Sequence, residues 1–379
     1  MKIAFTTVFD PKNVQNWSGT PFYMSNAFEQ VADVEYISNL KNKTPLAYKF
    51  KKSLKRIFTG KRESLRFNFK VAENYSKQVA KRLANSDCDA IISPLINPIT
   101  HLDSPKPIVL WTDALNASLL GFYPSSDSIT SRFIEDANDL TLECIARSRL
   151  LIFSSDWAAQ SAIATFGINN NKVKVVPFGA NINESPQQDE ITKNISTKNR
   201  DTVKLLFLGI DWYRKGGDIV FAVANELHAR GQKVELNFVG CLPPNDVDIP
   251  AYVKCHGFVS KAQPEGYKLL QTLLRKSHFL FLPSRAEAYG IAFCEASAYG
   301  LPSLTSFVGG IPTVVKDNIN GMKFALDSPV ANYCDYIINL MQNYNEYEKL
   351  ALSSFNEFQT RLNWNVNVLK VKKLLEDIL

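Results

Sequence analysis

The chain reads as an α/β protein made of two successive doubly wound units, and three observations predict it. Apolar, β-rich runs alternate with segments of helical spacing, the pattern of parallel βαβ units. A polar stretch rich in Asn, Gln, Ser and Thr breaks the alternation at 181–201. Beyond it the alternation begins again. The expected organisation is a Rossmann-like domain over 1–180, a linker over 181–201, a second Rossmann-like domain over 202–360 and a C-terminal helix over 361–379 packing back on the first domain. Two such domains are expected to face each other across a cleft, with ligands at the carboxyl ends of the strands.

KIAFTTV at 2–8 is the first strand, and a loop with Gly19 leads to helical spacing over about 20–31. VEYIS at 34–38 is the second strand, and a helix over about 65–85 leads to AIISP at 90–94. PIVLWTD at 107–113 follows, then a helix over about 130–147, LLIFSS at 150–155, a helix at 156–166 and KVKVVPFG at 172–179. In the second domain VKLLFLG at 203–209 is a strand, and the helix over 215–230 is closed by Gly231. KVELNFVG at 233–240 and the run 252–258 are the next strands. A helix over about 264–277 precedes the buried strand HFLFLPS at 278–284. A short helix at 293–300 leads to PSLTS at 302–306, and helices fill the chain from 329 onward.

Of 379 residues 45% are apolar and 21% charged, which suits a globular protein with a sizeable core. No uncharged apolar run of about 18 residues occurs, which argues against a membrane span. MKIAFTTVFD lacks the apolar core and cleavage site of a signal peptide. The closest of the six cysteines are 14 residues apart, so there is no CxxC or zinc spacing, and a reduced, cytoplasmic compartment is expected. No metal site is expected. Asp87-Cys-Asp89 leads directly into a strand, and Asp246-Val-Asp248 sits in a Pro-rich loop.

The most informative stretch is 283–302, PSRAEAYGIAFCEASAYGLP. A buried strand ends at Leu282, a loop carries Glu287 and Gly290, and a helix is expected to start near Glu295. Backbone N–H groups at a Gly-containing loop and a helix N-terminus attract phosphate. A carboxylate just inside that helix can accept hydrogen bonds from both vicinal hydroxyls of a ribose. The pattern suits a nucleoside diphosphate.

This stretch resembles the signature of the family-4 retaining glycosyltransferases of GT-B fold, also called glycosyl transferases group 1. Their motif has two glutamates separated by seven residues in a context like PSxxEGFGxxxxEAxAxGxP. Both glutamates, the loop glycine and the trailing Gly-Leu-Pro match, while Ala288 and Tyr289 replace a Gly and a Phe. LFLGIDWYRKGGDIV at 206–220 resembles the family's strand, loop and helix that hold the diphosphate. Gly209, Lys215 and Gly216 match, Ile210 stands where an Arg is usual, and Arg214 supplies the second positive charge. Ser18-Gly19-Thr20-Pro21 resembles the Gly loop that approaches donor phosphate and acceptor. Asp113, in Trp111-Thr112-Asp113, stands where many relatives place a His facing the transferred sugar. Val259 lies where relatives receive the nucleotide base, and Thr313 replaces the Glu of a GGxPE loop. The resemblance covers about 300 of the 379 residues.

The resemblance implies catalytic roles for Glu287, Lys215, Arg214 and Asp113. It implies a nucleotide-sugar site formed by Gly19, Thr20, Gly209, Lys215, Val259, Glu287, Tyr289, Gly290, Ile291 and Glu295. The implied reaction retains the configuration of a hexose-type sugar, uses no metal or cofactor and takes a nucleotide-diphosphate sugar, of UDP type by family usage. Its acceptor would be a hydroxyl of a glycan or lipid-linked molecule, in envelope polysaccharide or lipopolysaccharide synthesis. A non-catalytic nucleotide-sugar-binding subunit and a GT-B-fold sugar-nucleotide epimerase are the alternatives.

The net charge of +6 conceals an asymmetry: from Lys41 to Lys70 there are eleven Lys/Arg and one acid, giving +10 there and −4 elsewhere. Leu46, Phe50, Leu54, Ile57 and Phe58 fall on one helical face between Thr44, an N-cap, and Gly60, a stop. The segment 44–66 therefore reads either as a helix packed on the first domain or as a surface docked peripherally on the inner, anionic face of the cell membrane. No nucleic-acid motif accompanies the charge. Membrane docking predicts salt-sensitive binding to anionic vesicles, lost when Lys51, Lys52, Lys55 and Arg56 are reversed to Glu. Equal binding before and after the reversal would exclude it.

Overall fold

The structure is a computed structural model that describes residues 1–42, 68–123 and 131–379; the basic segment 44–66 lies outside the described residues. The chain divides into one unit of Met1–Val176 with Val368–Leu379 and a second of Pro177–Asn367.

The first unit holds β1 (Lys2–Thr6), β2 (Asp33–Ile37), β3 (Ala90–Ser93), β4 (Ile108–Thr112), β5 (Leu150–Phe153) and β6 (Val173–Val175). They form one parallel sheet in the order β2-β1-β3-β4-β5-β6. The central strands are buried along their whole length, because helices cover both faces of a parallel sheet. This is why AIIS, IVLWT and LLIF read as unbroken apolar runs rather than alternating ones. The helix Asp156–Phe166 shows the local rules: Ser155 caps its start by accepting from the Ala158 N–H, and Gly167 ends it at φ 62°. Such an N-cap contributes about 1 kcal/mol. Asp87 pairs with Lys2, and Asp89 accepts the Lys2 N–H at 2.8 Å. These acids tie the start of β1 to that of β3.

The second unit holds β7 (Val203–Gly209), β8 (Val234–Gly240), β9 (Val253–Cys255), β10 (Phe279–Leu282), β11 (Ser303–Ser306) and β12 (Gly321–Phe324). Their order is β12-β11-β10-β7-β8-β9, again all parallel. The order reverses between β7 and β10. A crevice opens at such a switch point, beyond the carboxyl ends of the two strands.

Three differences from the sequence expectation have physical reasons. Within the stretch read as linker, Gln188–Ser196 form a helix with Ile191 and Ile195 buried, an i, i+4 pair outnumbered by polar neighbours. β12 is too short and polar to stand out; Gly321 admits it, since a Cβ there would lie 2.0 Å from the Ser303 carbonyl oxygen. The helix after β10 begins at Ile291, not near Glu295, because Gly290 at φ 94° turns the chain into it four residues earlier than the apolar pattern suggests. Among the described residues no helix is long and apolar enough to cross a membrane.

Candidate active site

Of the residues expected to bind phosphate and sugar, Arg214, Lys215, Glu287 and Gly290 lie together at the β7/β10 switch point of the second unit. The loop after β7 runs from Ile210 to Gly216, and the loop after β10 from Pro283 to Gly290. Main-chain contacts hold them together: the Arg285 N–H donates to the Arg214 carbonyl at 2.7 Å. Gly216, at φ 75°, lies so close to the second loop that a Cβ would sit 2.3 Å from the Pro283 carbonyl oxygen. Arg285 braces the pair from outside, with two hydrogen bonds to Asp218 at 2.8 and 2.7 Å and its guanidinium 4.0 Å from the Tyr213 ring centre. The sequence offered no sign of this brace, since Asp218 and Arg285 lie on different elements.

Inside these loops Lys215 and Glu287 form an ion pair. Arg214 approaches the same carboxylate at 3.8 Å, donates to the Ala286 carbonyl at 3.1 Å and lies 3.5 Å from Asp211. The side chains of Arg214, Lys215 and Glu287 are only 16%, 13% and 11% exposed, so the charges face each other with little water between them. Both cations face the one buried carboxylate, and Asp211, 48% exposed, is the second acid beside Arg214. Removing such charges from water is costly, and an anion entering beside the lysine and arginine would replace part of the lost hydration. Gly209 leaves room for the Lys215 stem, because a Cβ there would meet it at 2.9 Å. Ile210, at the position where the resemblance leads to an expected Arg, is 72% exposed.

The helix Ile291–Ala298 starts at this crevice, with Gly290 as its N-cap and no side chain capping it. Its first N–H groups and Glu287 therefore share one end of the sheet. Glu295 sits in the second turn of that helix, 3% exposed, and is paired with Lys261. Burial pushes the Glu295 carboxyl up, and the Lys261 ammonium opposes that shift. Lys261 was not singled out in the sequence. It lies two residues after Val259, and nothing in the pattern links it to a glutamate 34 positions away. Tyr289 is 3% exposed, packs edge-on against the Phe178 ring and donates its hydroxyl to the Phe178 carbonyl at 2.6 Å. Its ring is thus spent on packing, and its main chain is what borders the Gly290 turn. Val259 is half-buried, in the loop after β9 whose Gly257 carbonyl accepts from the Gly240 N–H at 2.8 Å. Thr313 lies in the short helix Ile311–Val314, and its carbonyl accepts from Arg361 at 2.5 Å.

Gly19, Thr20 and Asp113 belong to the first unit, also at carboxyl ends of strands: the glycine loop follows β1, and Asp113 follows β4. Trp17, Ser18 and Gly19 have φ of 46°, 54° and 85°. Three successive left-handed residues turn the chain tightly into the helix that follows, and of the three only the glycine takes that backbone without strain. Thr20 is buried at 2% exposure. The Asp113 carboxylate accepts the Ala114 N–H at 2.7 Å, which orients it at the strand end.

Residues 202–343 match the family model described as glycosyl transferases group 1. A D-inositol 3-phosphate glycosyltransferase of Xylanimonas cellulosilytica is 24% identical over 233 residues, covering 59% of this chain and 55% of that protein. The chain spans about half the length of the curated relatives it matches. Among solved structures, WaaG, a glycosyltransferase involved in lipopolysaccharide biosynthesis, superposes with a TM-score of 0.62 at 16% identity, covering 99% of both chains. Anabaena HepE in complex with UDP superposes with a TM-score of 0.64 at 16% identity, covering 100% of both. These likenesses establish the fold.

Proposed function

We propose that this protein, a member of the glycosyl transferases group 1 with the GT-B fold, moves a hexose from a nucleotide-diphosphate sugar to a hydroxyl of a glycan or lipid-linked acceptor. The observation that carries the reading is the Lys215–Glu287 pair beside Arg214, brought from 72 residues apart to the switch point of the second sheet. In the proposed reaction the glycosyl–phosphate bond breaks and charge grows on the leaving diphosphate. Lys215 and Arg214 stabilise that charge, and the N–H groups at the start of the Ile291–Ala298 helix add to it. Glu287 then turns from its lysine to the sugar hydroxyls and balances positive charge at the anomeric carbon. The acceptor attacks from the face the diphosphate leaves, its proton passes to the departing phosphate oxygen, and configuration is retained.

Glu295 accepts hydrogen bonds from the ribose of the donor. UDP is the proposed nucleotide, supported by the likeness to a UDP complex, and an acceptor in envelope polysaccharide or lipopolysaccharide assembly is supported by the likeness to WaaG. The pure protein should transfer or slowly hydrolyse a UDP-hexose, give a product of the donor's own anomeric configuration by NMR, and keep its rate in EDTA. Failure of every UDP-, GDP- and ADP-sugar to react would leave a binding protein rather than an enzyme. Activity abolished by chelation and restored by a divalent ion would overturn the metal-free mechanism.

A further inference from the structure

We propose that Lys261 is the positioning residue of the ribose subsite: its ammonium group holds the buried Glu295 carboxylate ionised and in one orientation, ready to accept the donor's vicinal hydroxyls. The inference rests on the reading of Glu295 as the ribose acceptor and goes beyond it, because it assigns a role to a residue outside the two-glutamate motif.

The geometry is specific. Glu295 projects from the second turn of a helix whose residues Phe293–Ala298 are all buried. Its side chain is 4% exposed and that of Lys261 is 28% exposed. The lysine therefore forms the solvent side of the pair and the glutamate the buried side. An isolated carboxylate in such a place takes up a proton instead of staying charged. A protonated carboxyl keeps one good acceptor oxygen and loses the charge that strengthens hydrogen bonds from two hydroxyls.

The other groups around Glu295 cannot do this work. The Asn181 N–H faces it as a neutral donor. The Tyr267 phenol is pushed up by burial and receives the Asn183 N–H at 2.8 Å. Burial pushes the Tyr299 phenol and the Cys294 thiol each up to about 12. All three are neutral through the physiological range and bring no positive charge. Lys261 is the cation that faces this carboxylate among the described residues.

The test uses the full chain and UDP as the probe, with GDP and ADP as substitutes if either binds more tightly. Affinity is measured by calorimetry from pH 6 to pH 9 for the native protein, Lys261→Met, Lys261→Arg and Glu295→Gln. Lys261→Met should bind about tenfold or more weakly at pH 6 and recover as pH rises, its profile displaced to higher pH than the native one. Lys261→Arg should restore the native profile. Glu295→Gln should lose affinity by a similar factor with no displacement; the nucleotide's own phosphate titration is common to all four. Native affinity and profile in Lys261→Met would overturn the proposal, and so would a loss of equal size at every pH, the mark of a merely structural role. Native affinity in Glu295→Gln would instead overturn the ribose reading beneath it.

Discussion

Lys215→Met is expected to lower turnover by about 10²–10³-fold, the scale seen when one preorganised donor to developing negative charge is removed. The lysine side chain is 13% exposed and its ammonium already sits in the crevice against Glu287, so little reorganisation precedes its action. The methionine keeps the apolar stem that fills the space beside Gly209 and removes only the charge. Glu287 would keep Arg214 at 3.8 Å, which limits the harm to folding. Nucleotide affinity should fall less than turnover, because the charge the lysine meets is greatest as the glycosyl bond breaks. The measurement is steady-state kinetics alongside a thermal melt. A folded variant with native turnover would remove Lys215 from the mechanism.

The second large effect concerns pH and stability. Lys198 is 8% exposed, and its ammonium donates to the Ser277 carbonyl at 2.6 Å and to the Tyr347 hydroxyl at 3.1 Å. No carboxylate among the described residues pairs with it. Burial pulls its pKa from the ordinary 10.5 down to about 7. The neighbouring His278 is fully buried, accepts the Lys204 N–H at 3.0 Å through Nδ1, and is pulled by burial from 6.5 to about 3.

For both groups the unfolded chain binds the proton more readily than the folded one. Stability therefore rises with pH: between about 3 and 6.5 through His278, and between about 7 and 10.5 through Lys198. Each group contributes up to about 1.4 kcal/mol per pH unit within its window. Lys198→Met should be more stable than the native protein at pH 7 and should lose the upper slope while keeping the lower one. Urea denaturation midpoints from pH 5 to pH 10 read this directly. An unchanged slope between pH 7 and pH 10 in the variant would show that Lys198 stays charged in the fold.

The central strands of parallel sheets buried on both faces are legible in a sequence because they must be apolar along nearly their whole length. VKLLFLG at 203–209 coincides with β7 to the residue, and the helix expected at 156–166 is Asp156–Phe166. β12 was not legible: its GMKF carries little hydrophobic signal, and its pairing with β11 depends on a close approach that only Gly321 permits. The helix inside the polar stretch was hidden for a similar reason. Two isoleucines suffice to anchor Gln188–Ser196 once a surface exists to receive them, and the remaining positions are polar because they face water.

The sequence by itself determined the α/β class with its two successive units and named the residues proposed for the site, because local periodicity and a long ordered motif carry that information. Lys215 and Glu287 are candidates on the motif alone. Partnership was decided only by the tertiary structure: Lys215 with Glu287, Arg285 with Asp218, Lys261 with Glu295, and Lys198 against Tyr347. The physical reason is that an ion pair or a side-chain hydrogen bond is a property of two positions in space. Chain separations of 72, 67, 34 and 149 residues leave no trace of it in a one-dimensional pattern. Burial, which sets how strongly each charge is felt, likewise exists only once β7 and β10 lie side by side and the loops beyond them close together.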